Sequence, residues 1–112
     1  MKVVHSQERG VAVGQVDSRV LDAATAAAFK DGVKPMLTGA AKVVLDLSKV
    51  EFIDSSGLGA LVASLRQAHA VGADIKLSGL RKPVRALFEL VRMHRVFEVF
   101  NSAEEAVASY GV

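Results

Sequence analysis

The sequence predicts one α/β domain, a mixed and mostly parallel sheet of about five strands with helices between them. Short runs rich in Val, Leu and Ile alternate with stretches whose apolar residues recur at helical spacing. The later runs are separated by helix-length segments, which parallel neighbours require. The first two are separated only by Gln7-Glu8-Arg9-Gly10, which predicts an antiparallel hairpin at the start. A chain of 112 residues, 51% apolar and 23% charged, is sized for a single domain over its whole length, residues 1–112.

In order, Lys2–Ser6 and Val11–Val16 are the hairpin strands, with Gly14 marking a bulge or a close approach. Asp17–Leu21 reads as a connection. Asp22 is a candidate N-cap for a helix through Ala23–Ala28, Phe29 and Val33. Pro35 either kinks that helix or stops it near Lys34. The central strand starts near Lys42 and carries Val43, Val44, Leu45 and Leu47. Ser48 and Glu51 have capping-box spacing over one short turn before the apolar pair Phe52-Ile53. After Asp54-Ser55-Ser56-Gly57, Leu58, Leu61, Val62 and Leu65 fall on one face of a helix ending near Gly72. Ala73–Leu77 is the next strand. Pro83 opens a helix with Val84, Leu87, Phe88 and Val91 apolar. Val96–Phe100 is a last strand, and Asn101 or Ser102 caps a final helix with Ala106, Val107 and Tyr110 inward.

Composition narrows the function. The absence of cysteine removes disulfides, thiolate catalysis and cysteine–metal sites. No secretory signal and no membrane-length apolar run is visible, so a cytoplasmic protein is expected. With 14 basic against 12 acidic residues, net charge does not point to a partner. Its distribution says more: Lys76, Arg81, Lys82, Arg85, Arg92 and Arg95 face a single acid, Glu89, within their stretch. A solvated helix face is the first reading of that run, and a patch for an acidic protein the second. Nucleic acid is the weakest reading, because no exposed aromatics interleave the cations.

Asp54–Gly57 is the segment where chemistry concentrates. It joins a strand to a helix N-terminus, whose first N–H groups have no intrahelical partners and favour negative charge. Gly57 is expected to allow a tight turn and to leave those N–H groups accessible. One serine can serve as the N-cap while the other points outward. Three readings stay open from the residues alone: cap and turn, a site that receives a phosphoryl group, or a catalytic nucleophile.

The nucleophile reading is poorly supported. A serine needs a base and an orienting group, and the chain has only His5, His69 and His94. His69 lies toward the far end of the serine helix, about 20 Å away at about 1.5 Å per residue. No G-x-S-x-G is present. Gly57-Leu58-Gly59 lacks the third glycine and the lysine of phosphate-binding loops. No His/Asp/Glu grouping has ligand spacing, so neither metal nor cofactor is expected.

The stretch VVLDLSKVEFIDSSGLGALVASL, residues 43–65, resembles the signature of STAS domains, the family of bacterial anti-sigma factor antagonists and related regulators. VLDAATAAAF at Val20–Phe29 and VRALFELVRMHRVFEVFNSAEEAV at 84–107 extend the resemblance over nearly the whole chain. It implies a four- or five-stranded sheet with helices packed mainly on one side. By motif, Ser55 matches the serine that a partner kinase phosphorylates in such antagonists. Asp54 matches the acidic neighbour that helps the kinase recognise or orient that serine. Ser56 and Gly57 shape the helix start, and Asp46 has a structural role at the strand's exit. The implied partners are an anti-sigma factor that is also a serine kinase, and a separate serine phosphatase. The implied role is a binding switch with no catalysis in this chain, without direct nucleic-acid binding or membrane insertion, and with a homodimer left open. The expected contact face is Asp54, Ser55, Ser56 and Gly57 with the first helical turns at Gly59, Ala60 and Ala63. The alternative within the family is a docking subunit of a transporter or signalling scaffold with no phosphorylation cycle. Two segments depart from the family pattern. Arg92-Met93 replaces a glycine–leucine pair, predicting a different turn before Val96, and Gly14–Arg19 lacks the common glycine–glutamate or glycine–arginine pair.

Overall fold

The structure is a computed structural model that describes residues 1–39 and 41–111, so Ala40 and Val112 lie outside the described residues. Its elements are β1 (Lys2–Glu8), β2 (Val11–Asp17), β3 (Val20–Leu21), α1 (Ala26–Gly39), β4 (Lys42–Asp46), β5 (Phe52–Ile53), α2 (Ser55–Ala70), β6 (Asp74–Ser78), α3 (Lys82–Leu90), a 3₁₀ turn (Met93–Arg95), β7 (Val99–Phe100) and α4 (Ala103–Ala108). The main sheet has the order β1-β2-β4-β6-β7. Only β1–β2 is antiparallel; the other neighbours are parallel. The predicted α/β class and N-terminal hairpin are therefore observed.

Alternation along the strands divides the core in two. Ala12, Val16, Val43, Leu45, Ile75 and Leu77 pack with Phe29, Val33, Leu61, Leu65, Val84 and Phe88 from α1, α2 and α3. Val11, Val13 and Val44 turn to the other face and meet Ala106 and Val107 of α4. Three helices on one face and one short helix on the other match the expected one-sided packing. Gly14 marks a close approach: an added Cβ would lie 2.8 Å from both Met36 Sδ and Val3 Cγ1.

Several local expectations need correction. Asp17–Leu21 is not a plain connection, because Val20 and Leu21 pair in parallel with Phe52 and Ile53 as a separate two-stranded ribbon. Asp22 does act as a cap, accepting from the N–H groups of Ala24 and Thr25 at 3.1 Å each. It caps a lead-in turn, however, and α1 begins at Ala26 and runs past the outward-facing Pro35 to Gly39. Glu51 does not close a capping box on Ser48; its carboxylate takes the Arg19 guanidinium at 2.8 Å. The last strand shrinks to Val99–Phe100, since Phe97 N–H bonds back to the Met93 carbonyl in the 3₁₀ turn. Arg92 enters that turn at φ 61, a left-handed conformation that glycine adopts without steric cost.

Lys76 does not belong to a solvated helix face. It lies in β6 and is 7% exposed. Its ammonium stands 2.8 Å from Ser109 Oγ, 3.8 Å from Glu98 Oε2 and 4.1 Å from the centre of the Tyr110 ring.

Candidate functional site

The serine segment is held by the small ribbon before it becomes helix. The N–H groups of Glu51 and Phe52 both donate to the Arg19 carbonyl, at 2.7 and 3.2 Å, and Asp54 N–H donates to the Leu21 carbonyl at 3.2 Å. Asp54 is extended, with φ −100 and ψ −174, and its Oδ1 accepts from Gly57 N–H at 2.9 Å. Leu58 N–H then makes the first helical bond to the Asp54 carbonyl, also at 2.9 Å. Asp54 is thus the N-cap of α2, and neither serine is, contrary to the expectation that one of them caps. An extended residue with a short acceptor side chain is what this position needs.

Ser55 and Ser56 occupy the first two helical positions, and both are exposed. Their own N–H groups belong to the first turn, which has no carbonyl one turn earlier within the helix. The two exposed hydroxyls therefore stand at the helix start beside the Asp54 carboxylate.

Two residues of the expected contact face lie on the inner side. Gly57 is buried, and a Cβ there would collide with the Leu21 carbonyl oxygen. Its use is a close approach of α2 to β3 rather than a tight turn, and its N–H is taken by Asp54. Ala60 is 4% exposed and packs in the core. The buried side of α2 is Gly57, Ala60, Leu61, Ser64, Leu65 and Ala68, while Leu58 and Val62 flank it half-buried. Small side chains let the helix lie close to the strands, which rotates the inner face by about one position from the Leu–Val stripe. Gly59 and Ala63 are exposed, and nothing lies within 4 Å of a Cβ added at Gly59.

Asp46 accepts from Ser48 N–H at 2.9 Å, the structural role at the exit of β4 expected for it. The histidines are dispersed. His5 bonds the Gly32 carbonyl at 2.8 Å, His69 meets Asp74 at 3.1 Å beyond the far end of α2, and His94 is exposed in the 3₁₀ turn. Among the described residues no three His, Asp or Glu side chains gather as metal ligands.

Beside the ribbon lies a polar depression of about 390 Å³ lined by Asp17, Ser18, Arg19, Lys49, Glu51 and Arg81. The Glu51 carboxyl is held below the usual carboxylate range by the hydrogen bond from Arg19, then by the charge of Arg19, with Arg81 adding. Arg81 donates to the Ser48 carbonyl at 2.9 Å. The sequence pattern gave Glu51 only a capping-box reading and Phe52 only a place in an apolar pair, and it did not pair Arg19 with Glu51. The available signal was a pair of two-residue apolar steps, Val20-Leu21 and Phe52-Ile53, each following charged residues.

The family model described as "Mlab, STAS domain" matches residues 18–99. The chain belongs to the STAS family. Among its relatives, BtrV of Bordetella bronchiseptica, named as an anti-sigma factor antagonist, is 35% identical over 72 residues. That match covers 64% of this chain and spans 62% of the relative's length. Among solved STAS-like structures, a Thermotoga maritima protein described as an anti-sigma factor antagonist superposes with a TM-score of 0.83 at 25% identity, covering 96% of this chain and 92% of that one. A STAS domain protein from Planctomyces limnophilus gives a TM-score of 0.88 at 18% identity with both chains fully covered, a likeness of fold. Within the STAS frame, the strand-to-helix junction at Asp54–Gly57 is the place where a small exposed hydroxyl meets a helix dipole.

Proposed function

We propose that this STAS domain is an anti-sigma factor antagonist, a protein-binding switch controlled by phosphorylation of Ser55. The supporting observation is the exposure of Ser55 at the first position of α2, on a turn tied to the ribbon and capped by Asp54. A phosphoryl group there adds about −1.5 to −2 charge and three acceptor oxygens. The helix dipole favours it, while the neighbouring Asp54 carboxylate, committed to Gly57 N–H, opposes it. The fold tolerates such an outward group, whereas a partner pressed against the same tip does not.

The unmodified face consists of Asp54, Ser55 and Ser56 with Gly59 and Ala63. Gly59 costs helix stability of about 1 kcal/mol relative to alanine, and no close contact among the described residues requires it. A partner surface brought close to the helix backbone supplies a reason for it. The partner is an anti-sigma factor with serine kinase activity, and a serine phosphatase restores binding. The proposed cycle is a cytoplasmic one, as the anti-sigma factor antagonist role implies. No helix among the described residues is long and apolar enough to cross a membrane.

Intact-mass measurement after incubation with ATP and the cognate kinase tests this. The expected result is one added phosphate on the native chain and none on Ser55→Ala. No added phosphate, or phosphate that persists in Ser55→Ala, overturns the switch and leaves docking without a phosphorylation cycle.

A further inference from the structure

A second surface lies next to the serine tip. Phe52 of β5 is 55% exposed, and its registered neighbour Val20 in β3 is 36% exposed. Across from them, α3 turns Val84 and Phe88 into the core. Pro83, Leu87, Leu90 and Val91 therefore share an adjoining face, by their spacing of four, seven and eight residues. Leu90 is 80% exposed. Between β5 and α3 runs an apolar groove of about 220 Å³, walled by Phe52, Ile53, Pro83, Val84 and Leu87 and bounded by Glu51. It is smaller than the roughly 300–1,000 Å³ of small-molecule sites, and suits single apolar side chains.

The chain on either side of this helix face is basic. Arg81 and Lys82 precede Pro83, and Arg92 and Arg95 follow Val91, all exposed. Glu89 is the one acid between Lys82 and Arg95, and Glu51 is already matched by Arg19 at 2.8 Å. We propose that this face docks an acidic amphipathic helix of the protein partner, its apolar side chains in the groove and its carboxylates toward the flanking cations. A second copy of the chain would set like charges against each other across the contact. A membrane presents no side chain to fill a concave groove. The inference rests on the function proposed above only in taking the partner to be a protein; no atom of Ser55 lines the groove.

The test uses the full chain, ¹⁵N-labelled, titrated with a synthetic helical peptide of leucine and glutamate at amphipathic spacing. Its controls are the same peptide with lysine for glutamate, and phosphatidylglycerol vesicles. The expected result is saturable shifts confined to β3, β5 and α3 with the glutamate peptide alone. Phe52→Ala and Leu90→Gln each weaken that binding about tenfold, as loss of an interface anchor does. Both positions are exposed, so the variants keep their folded spectra. Ser55→Asp leaves peptide affinity unchanged, which separates failure of the phosphorylation switch from failure of this surface. The proposal is overturned by the absence of saturable shifts up to millimolar peptide, by shifts elsewhere, or by equal binding of the lysine peptide. Self-association through this face, or preference for vesicles, overturns it equally.

Discussion

At the scale of single residues, Asp54 joins fold and function, because one carboxylate both starts α2 and stands beside the hydroxyl proposed as the switch. Asp54→Ala removes the acceptor for Gly57 N–H and is expected to lower stability by about 1 kcal/mol, whereas Asp54→Asn keeps an acceptor and most of that stability. Urea unfolding midpoints at constant slope measure both. That this junction matters was legible in the sequence; which side chain caps it was not. Asp, Ser and Ser in succession all have cap chemistry, and only the extended backbone at Asp54, set by its bond to Leu21, ranks them. Gly57 was misread for a related reason. A glycine needed for a turn and one needed for close packing look identical until the Leu21 carbonyl is placed against it.

At the scale of elements, α4 shows how a six-residue helix is kept in place. Ala106 and Val107 supply its apolar contact, and Tyr110 beyond it donates its hydroxyl to the Val43 carbonyl at 2.9 Å and the Asp74 carbonyl at 3.2 Å. Burial first, then the nearby Asp74 charge, raises the phenol far above its ordinary value. The folded state therefore favours the neutral phenol. Its stabilisation is complete below the unfolded value of about 10 and is lost as pH climbs above it. The urea midpoint of the native chain is expected to fall beyond about pH 10 more steeply than that of Tyr110→Phe, which itself loses about 1 kcal/mol at neutral pH. Identical pH profiles for the two proteins would remove this role. Strand alternation in β6 places Lys76 opposite the core-facing Ile75 and Leu77, and that much is readable from the chain. Its burial is not, because Tyr110 and Ser109 arrive from more than thirty residues away.

At the scale of the whole molecule, the switch depends on a frame that stays unchanged while one surface charge changes. Ser55→Asp is expected to shift the melting temperature by no more than about 2 °C, as for an ordinary surface substitution. Its affinity for the identified partner is expected to fall by roughly tenfold or more, since a charge is added at a desolvated contact. Calorimetry on both proteins, alone and with partner, separates the two effects. Unchanged affinity removes the charge mechanism, and a large melting shift assigns the effect to the fold.

Periodicity, turn residues and the DSSG motif in its strand-to-helix context were enough to determine the α/β class, the N-terminal hairpin and the position of Ser55 at a helix start. These are local properties, written in neighbouring side chains and in spacings of two or about 3.6 residues. The tertiary structure alone decided that Asp54 caps, that Gly57 and Ala60 face inward, that Lys76 is enclosed, and that Val20-Leu21 pairs with Phe52-Ile53. Each of those depends on a segment distant in the chain approaching to within a few ångströms, and no local pattern carries the partner of such a contact.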